Sequence, residues 1–222
     1  MSTIRFPKIG RIVRLDGGSY DVDAIPGLGG PFETATEYFA AWGQAAKFPA
    51  GEAYIRSCLP LHVQDEFVVS IREFPHRIAK GGYQITVKNE GPFPLYHPDF
   101  RHSNVIIDKN YNILSIIDWE NAGTVPWEII EFPLFLGTLP PPMDLETNYD
   151  TEGNPTNEEM QQIWKDRTDY VRDVMHFECR NLSDRSLSTM LASRYTQNIG
   201  TAIRLYHESG KLGPYCNVLD KP

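Results

Sequence analysis

One stretch of this 222-residue chain concentrates residues able to do chemistry. It reads His97-Pro98-Asp99-Phe100-Arg101-His102-Ser103-Asn104, then Val105-Ile106-Ile107 and, after a turn, Ile116-Ile117-Asp118-Trp119-Glu120. Asp99 lies in the loop before the first apolar run, Asn104 opens that run, and Asp118 closes the second. Antiparallel pairing of the runs brings Asn104 and Asp118 to the same end. An amide and a carboxylate there suit a hard divalent cation, because Mg²⁺ takes oxygen ligands from one or two carboxylates, phosphate oxygens and water. Asp99, just upstream, is placed to orient a hydroxyl nucleophile. His97 reads as structural, hydrogen-bonding the loop backbone. His102 with His97 spells His-x-Asp-x-x-His, but zinc would need a further His or Cys nearby, and none follows before His176. Arg101 either meets a phosphate or carboxylate of a substrate or forms a surface ion pair. Glu120 and Glu128 are candidates for a cationic substrate; a solvated acidic face is the commoner explanation.

The elements that must position these residues are legible from patterning. Lys109-Asn110-Tyr111-Asn112 joins the runs 104–108 and 113–118 as a hairpin, and the nearly all-apolar strands predict that it is buried. A first hairpin is expected over Ile9–Val13 and Ser19–Ile25, around Asp16-Gly17-Gly18. Pro26 to Pro31 forms a loop without the spacing of a phosphate-binding glycine motif. Thr34 or Thr36 caps a helix to about Lys47, with Ala35, Tyr38, Phe39 and Trp42 on one face. A second helix covers His62 to Lys80, interrupted near Pro75 and stopped by Gly81-Gly82. Tyr83 to Lys88 fits a helix tail or a strand. Gly91-Pro92-Phe93-Pro94 opens a loop-rich centre, and Ile129–Leu136 is a short apolar segment. Beyond the Pro-rich loop at 140–142, the clearest helix runs from Glu158 to Arg180, with Met160, Trp164, Tyr170 and Val174 as core positions. Ser183 or Asp184 caps the next helix, which continues toward Glu208 with a break at Gly200.

Composition bounds the rest. Apolar residues make up 41%, charged residues 23% and aromatics 12%, which suits a packed globular domain and excludes disorder as the main state. The net charge of −8, with no basic run longer than two, argues against nucleic acid. No apolar stretch approaches the length of a membrane span. The first residues lack the apolar core of a secretory signal, and Cys58, Cys179 and Cys216 are too scattered for a disulfide framework. A cytoplasmic protein with no membrane partner is the expectation.

The stretch from Leu95 to Glu131 resembles the aminoglycoside phosphotransferase and choline kinase-like family, of protein-kinase-like fold, and most of all its fungal branch. The family pattern His-Gly-Asp-x-x-x-x-Asn, three apolar residues, a turn and apolar-Ile-Asp-Trp/Phe is met by His97, Asp99, Asn104 and Ile117-Asp118-Trp119, with Pro98 in place of the usual Gly or Arg. The resemblance runs from about Phe6 to the C-terminal helices. It implies an α+β, mostly helical C-terminal lobe filling residues 1–222 as one unit. That unit comprises an N-terminal hairpin and loop (1–30), a helical part (31–90), a catalytic and metal segment (91–136), and a loop with C-terminal helices (137–222). It implies ATP-dependent phosphoryl transfer to a small-molecule hydroxyl of unknown identity. Asp99 would be the catalytic base, Asn104 and Asp118 would hold Mg²⁺, and His97, Arg101, Trp119 and Glu120 would support them. No strand carrying a phosphate-pairing Lys is recognisable, since Lys8 and Lys47 sit in the wrong contexts. The ATP site is therefore expected to be incomplete in this chain, with weak ATP binding, little or no kinase activity, and a bare lobe face open to self-association. A catalytically silent binding module derived from the same fold is the alternative reading, and a metal-dependent hydrolase a more distant one.

Overall fold

The computed structural model describes residues 3–181 and 184–220. The fold is α+β, with a curled antiparallel half-barrel sheet. Five strands build that sheet: β1 (Arg5–Phe6), β2 (Gly10–Arg14), β3 (Tyr20–Asp23), β4 (Phe93–Tyr96) and, late in the chain, Gly123–Thr124. Between β4 and that last strand lie β5 (Val105–Ile107) and β6 (Ile113–Ile116), a separate two-stranded hairpin, so Gly123–Thr124 is β7. The sheet order is β1-β4-β7-β2-β3, every pair antiparallel. The expected first hairpin is thus the β2–β3 edge of a larger sheet. The segment read as loop-rich at 91–94 contributes β4, which pairs with both β1 and β7.

Helix α1 (Ala35–Ala45) begins at Thr34 with a full capping box: Thr34 Oγ1 accepts from the Glu37 N–H, and Glu37 accepts from the Thr34 N–H. After the short α2 (Glu52–Ser57), helix α3 runs unbroken from Gln64 to Ile85, through Pro75 and past Gly81-Gly82. Both expected interruptions are absent, for identifiable reasons. Pro75 has no N–H, which frees the Ile71 carbonyl four residues back. The Tyr206 hydroxyl, from the far end of the chain, donates to that carbonyl at 2.9 Å. At the other end, Gly82 lies against α1, where an added Cβ would touch Phe39 at 3.4 Å. Tertiary packing therefore replaces the missing bond and uses the small residue as a contact. The partner glycine on α1, Gly43, admits Pro75: a Cβ there would overlap the Pro75 carbonyl.

The core lies between α1, α3 and the C-terminal segment. Trp42 and Phe74 meet edge to face at 5.9 Å, and Tyr206 and Tyr215 close the cluster. Helix α4 (Glu158–Arg180) is found where the sequence placed it, but it is peripheral. Met160, Trp164, Tyr170 and Val174 are only half-buried. Tyr170 and Val174 pack on a small cluster around Phe132, Leu136 and Leu191. Ser183 lies outside the described residues; Asp184 Oδ1 accepts from the Ser186 N–H at the start of α5 (Ser186–Ala192). The break before α6 (Arg194–Leu205) falls at Ser193, which caps α6 through its hydroxyl, and not at Gly200. Gly200 stays helical because it lies on the Trp127–Ile129 turn, where a Cβ would come within 2.9 Å of the Glu128 carbonyl. Among the described residues, no helix is long and apolar enough to cross a membrane.

Candidate functional site

The β5–β6 hairpin forms as the sequence predicts, with Val105 opposite Ile116 and Ile106 opposite Ser115. The ladder extends one step beyond the strands, since the Ile117 N–H donates to the Asn104 carbonyl at 3.0 Å. Asn104 and the residue just before Asp118 therefore sit at the same end. The expected burial of the hairpin does not hold. Ile113 and Leu114 are each 65% exposed, and Ile106, Ile107 and Ile117 are exposed as well. An all-apolar strand normally means cover on both faces; here the fold supplies too little cover.

His97 fastens this end together. It is buried, its Nδ1 accepts from the Asp99 N–H at 3.3 Å, and its Nε2 therefore carries the hydrogen donated to the Ile117 carbonyl at 2.9 Å. One ring thus ties the Asp99 loop to the residue preceding Asp118. Trp119 packs on the His97 ring at 5.0 Å and donates its indole N–H to the Ile116 carbonyl. Asn104 is buried and gives both hydrogens of its amide inward: Nδ2 donates to the Asp99 carbonyl at 2.9 Å and to Asp99 Oδ2 at 3.1 Å. The other Asp99 oxygen forms an ion pair with Arg101. Arg101 is thus a partner of the candidate base itself. Glu120 is exposed.

Asp118 differs from its neighbours. It is exposed, its carboxylate has no hydrogen-bond or ion-pair partner among the described residues, and its backbone is left-handed at φ 66°. A non-glycine residue there is strained, although Asp tolerates it better than most. Among the described residues, no cluster of three or more His, Cys, Asp or Glu side chains is placed to hold a metal ion. What the hairpin end offers is one amide oxygen and one uncommitted carboxylate. Those are hard oxygen donors of the kind Mg²⁺ accepts when phosphate and water complete its shell. His102 takes no part: it stacks on Phe135 at 4.1 Å, on the wall of an open cleft of about 560 Å³ that Arg101, Arg204 and Lys211 also line.

Glu128 is neither a solvated acidic face nor a substrate ligand. It is 1% exposed, and its Oε1 accepts from the Val87 and Lys88 N–H groups at 2.5 and 2.9 Å. Burial pushes its carboxyl above the usual range, while those backbone donors act in the opposite direction. Beside it, Arg5 and Lys88 both lie over the Trp127 ring and both pair with Asp184, which Arg5 grips with two hydrogen bonds of 2.7 Å. This polar staple joins β1, the end of α3 and the start of α5. Its members are far apart in the chain, so spacing carries no signal of it.

No family model, no curated protein and no solved structure matches this chain.

Proposed function

We propose that the chain is a phosphotransferase-type domain with the C-terminal-lobe architecture of the protein-kinase-like fold. It would act in ATP-dependent phosphoryl transfer to a small-molecule hydroxyl. The observation that carries this reading is the coupling of Asp99 to Asn104 at the end of the hairpin where Asp118 presents an unpartnered carboxylate. Asn104 and Asp118 would hold Mg²⁺, which would neutralise phosphate charge when bound. Asp99 would accept the hydrogen of the acceptor hydroxyl, and releasing Arg101 frees the oxygen it needs. His97 and Trp119 keep the loop and the hairpin end in register.

A second reading, a catalytically silent binding module, is favoured by the same Arg101 pair, because it occupies the Asp99 oxygen that an acceptor hydroxyl would need. Calorimetric titration with magnesium-ATP, paired with phosphoryl-transfer assays, separates the two. On the first reading the chain binds magnesium-ATP weakly, and Asp118→Asn abolishes that binding. Asp99→Asn preserves binding but lowers turnover by ~10²–10⁴-fold, the usual contribution of a positioned proton acceptor. Absence of any magnesium-dependent nucleotide binding would favour the silent module.

A further inference from the structure

A second cavity, of about 480 Å³, lies between the half-barrel sheet and helices α1 and α6. Its walls include the rings of Tyr38, Trp42 and Tyr96, and the Glu131–Arg204 ion pair lies at one side. Tyr38 is 8% exposed and Trp42 is buried. Among the described residues, neither the two tyrosine hydroxyls nor the Trp42 indole N–H has a protein partner. Yet none of the three is sealed from water, as Glu128 Oε2 and Trp164 Nε1 are. The Glu131 carboxylate is spent within the protein: Oε1 accepts from the Thr201 hydroxyl at 2.5 Å and Oε2 from Arg204 at 2.9 Å. The cavity wall therefore carries three aromatic residues whose donors have no protein partner, and the carboxylate beside them is occupied. Its walls are also rigid, since the Trp42 ring is held edge-on by Phe74, Tyr206 and His207.

We infer that this cavity is a binding site for a small, flat aromatic compound bearing oxygen acceptors. The ring would lie against Tyr38, Trp42 and Tyr96, and its oxygens would take the three unused hydrogens. Sites of this size, apolar with a few convergent polar groups, are the usual form of small-molecule pockets. Pro98, the residue before Asp99, forms part of the wall, so an occupant would lie behind the candidate catalytic loop.

The test is fluorescence anisotropy of umbelliferone titrated with the full chain, without nucleotide or magnesium, so that its outcome is independent of phosphoryl transfer. Saturable binding is expected. Tyr38→Phe and Tyr96→Phe should each weaken it by ~2–10-fold, the value of one hydrogen bond. Tyr20→Phe, at an exposed position, should leave it unchanged. The two cavity variants should melt at or above the wild-type temperature, because each loses a hydroxyl with no protein partner. Absence of saturable binding, binding indifferent to both cavity substitutions, or a fall of several degrees in their melting temperature would each overturn the inference.

Discussion

Two groups of carboxylates in this molecule are treated in opposite ways. In the staple around Trp127, Glu128 is buried against two backbone donors, and Asp184 is clamped by Arg5 and Lys88. Each charged side chain there has a structural partner, although the second Glu128 oxygen is buried without one, and the cluster joins three elements. At the hairpin end, Asp118 stands in water without a partner, in a backbone conformation its own side chain disfavours, beside strands whose apolar faces are bare. The first arrangement explains itself as stability. The second does not, and groups that cost the fold something without return are where binding or chemistry is to be sought.

Substitutions sharpen that contrast. The largest effect is expected from Glu128→Ala, which removes the acceptor of two partly buried N–H groups; with unsatisfied buried donors costing about 1–3 kcal/mol each and these only partly buried, chemical denaturation should show a loss of roughly 1–3 kcal/mol. Were the loss below about 0.5 kcal/mol, the staple would not be the structural half of the comparison. Asp184→Asn should cost less, about 1 kcal/mol near neutral pH, because the pair is partly exposed. Its pH dependence gives the sign. Arg5 holds the Asp184 carboxyl well below its ordinary value of 3.8, so the stabilisation is complete above that value. It fades as pH falls through the lower folded value. Wild type and Asp184→Asn should therefore converge in acid and separate above about pH 5.

The hairpin end should respond in the opposite sense. Asp118→Gly removes the strain of a left-handed Asp and should leave stability unchanged or raise it by up to ~1 kcal/mol. The same variant should lose magnesium-ATP binding. A substantial loss of stability would place Asp118 among the structural carboxylates and dissolve the contrast. The smallest effect on folding, within about 0.5 kcal/mol, is expected for Ile113→Thr combined with Leu114→Lys, both of which lie in water. If self-association covers this face, sedimentation of the double variant should show it lost.

Local chemistry was enough for much of this. The turn residues of both hairpins, the amphipathic stripe of α1 and a capping threonine at 34 or 36 act through neighbours within a few positions, and each is read from the chain without a fold; that Thr34 is the cap, boxed with Glu37, came from the structure. The placement of Asn104 and the hairpin end follows from antiparallel geometry alone. Long-range effects were a different matter. The two-residue strands β1 and β7 are too short to carry a period, and Pro94 disguises β4. They exist because the curled sheet needs partners that lie about ninety to a hundred and twenty residues apart. The persistence of α3 through Pro75 depended on a hydroxyl from Tyr206, at the far end of the chain.

What the amino-acid sequence determined by itself was the set of elements with local causes and the identity of the groups that could do chemistry. Only the tertiary structure decided which carboxylates are spent on the fold and which are left over. It buried Glu128 and exposed the apolar hairpin, each against its own side-chain preference, because burial depends on what packs above a residue and not on the residue alone. It also set Arg101 on Asp99 and placed Tyr38 and Tyr96 in the wall of a cavity.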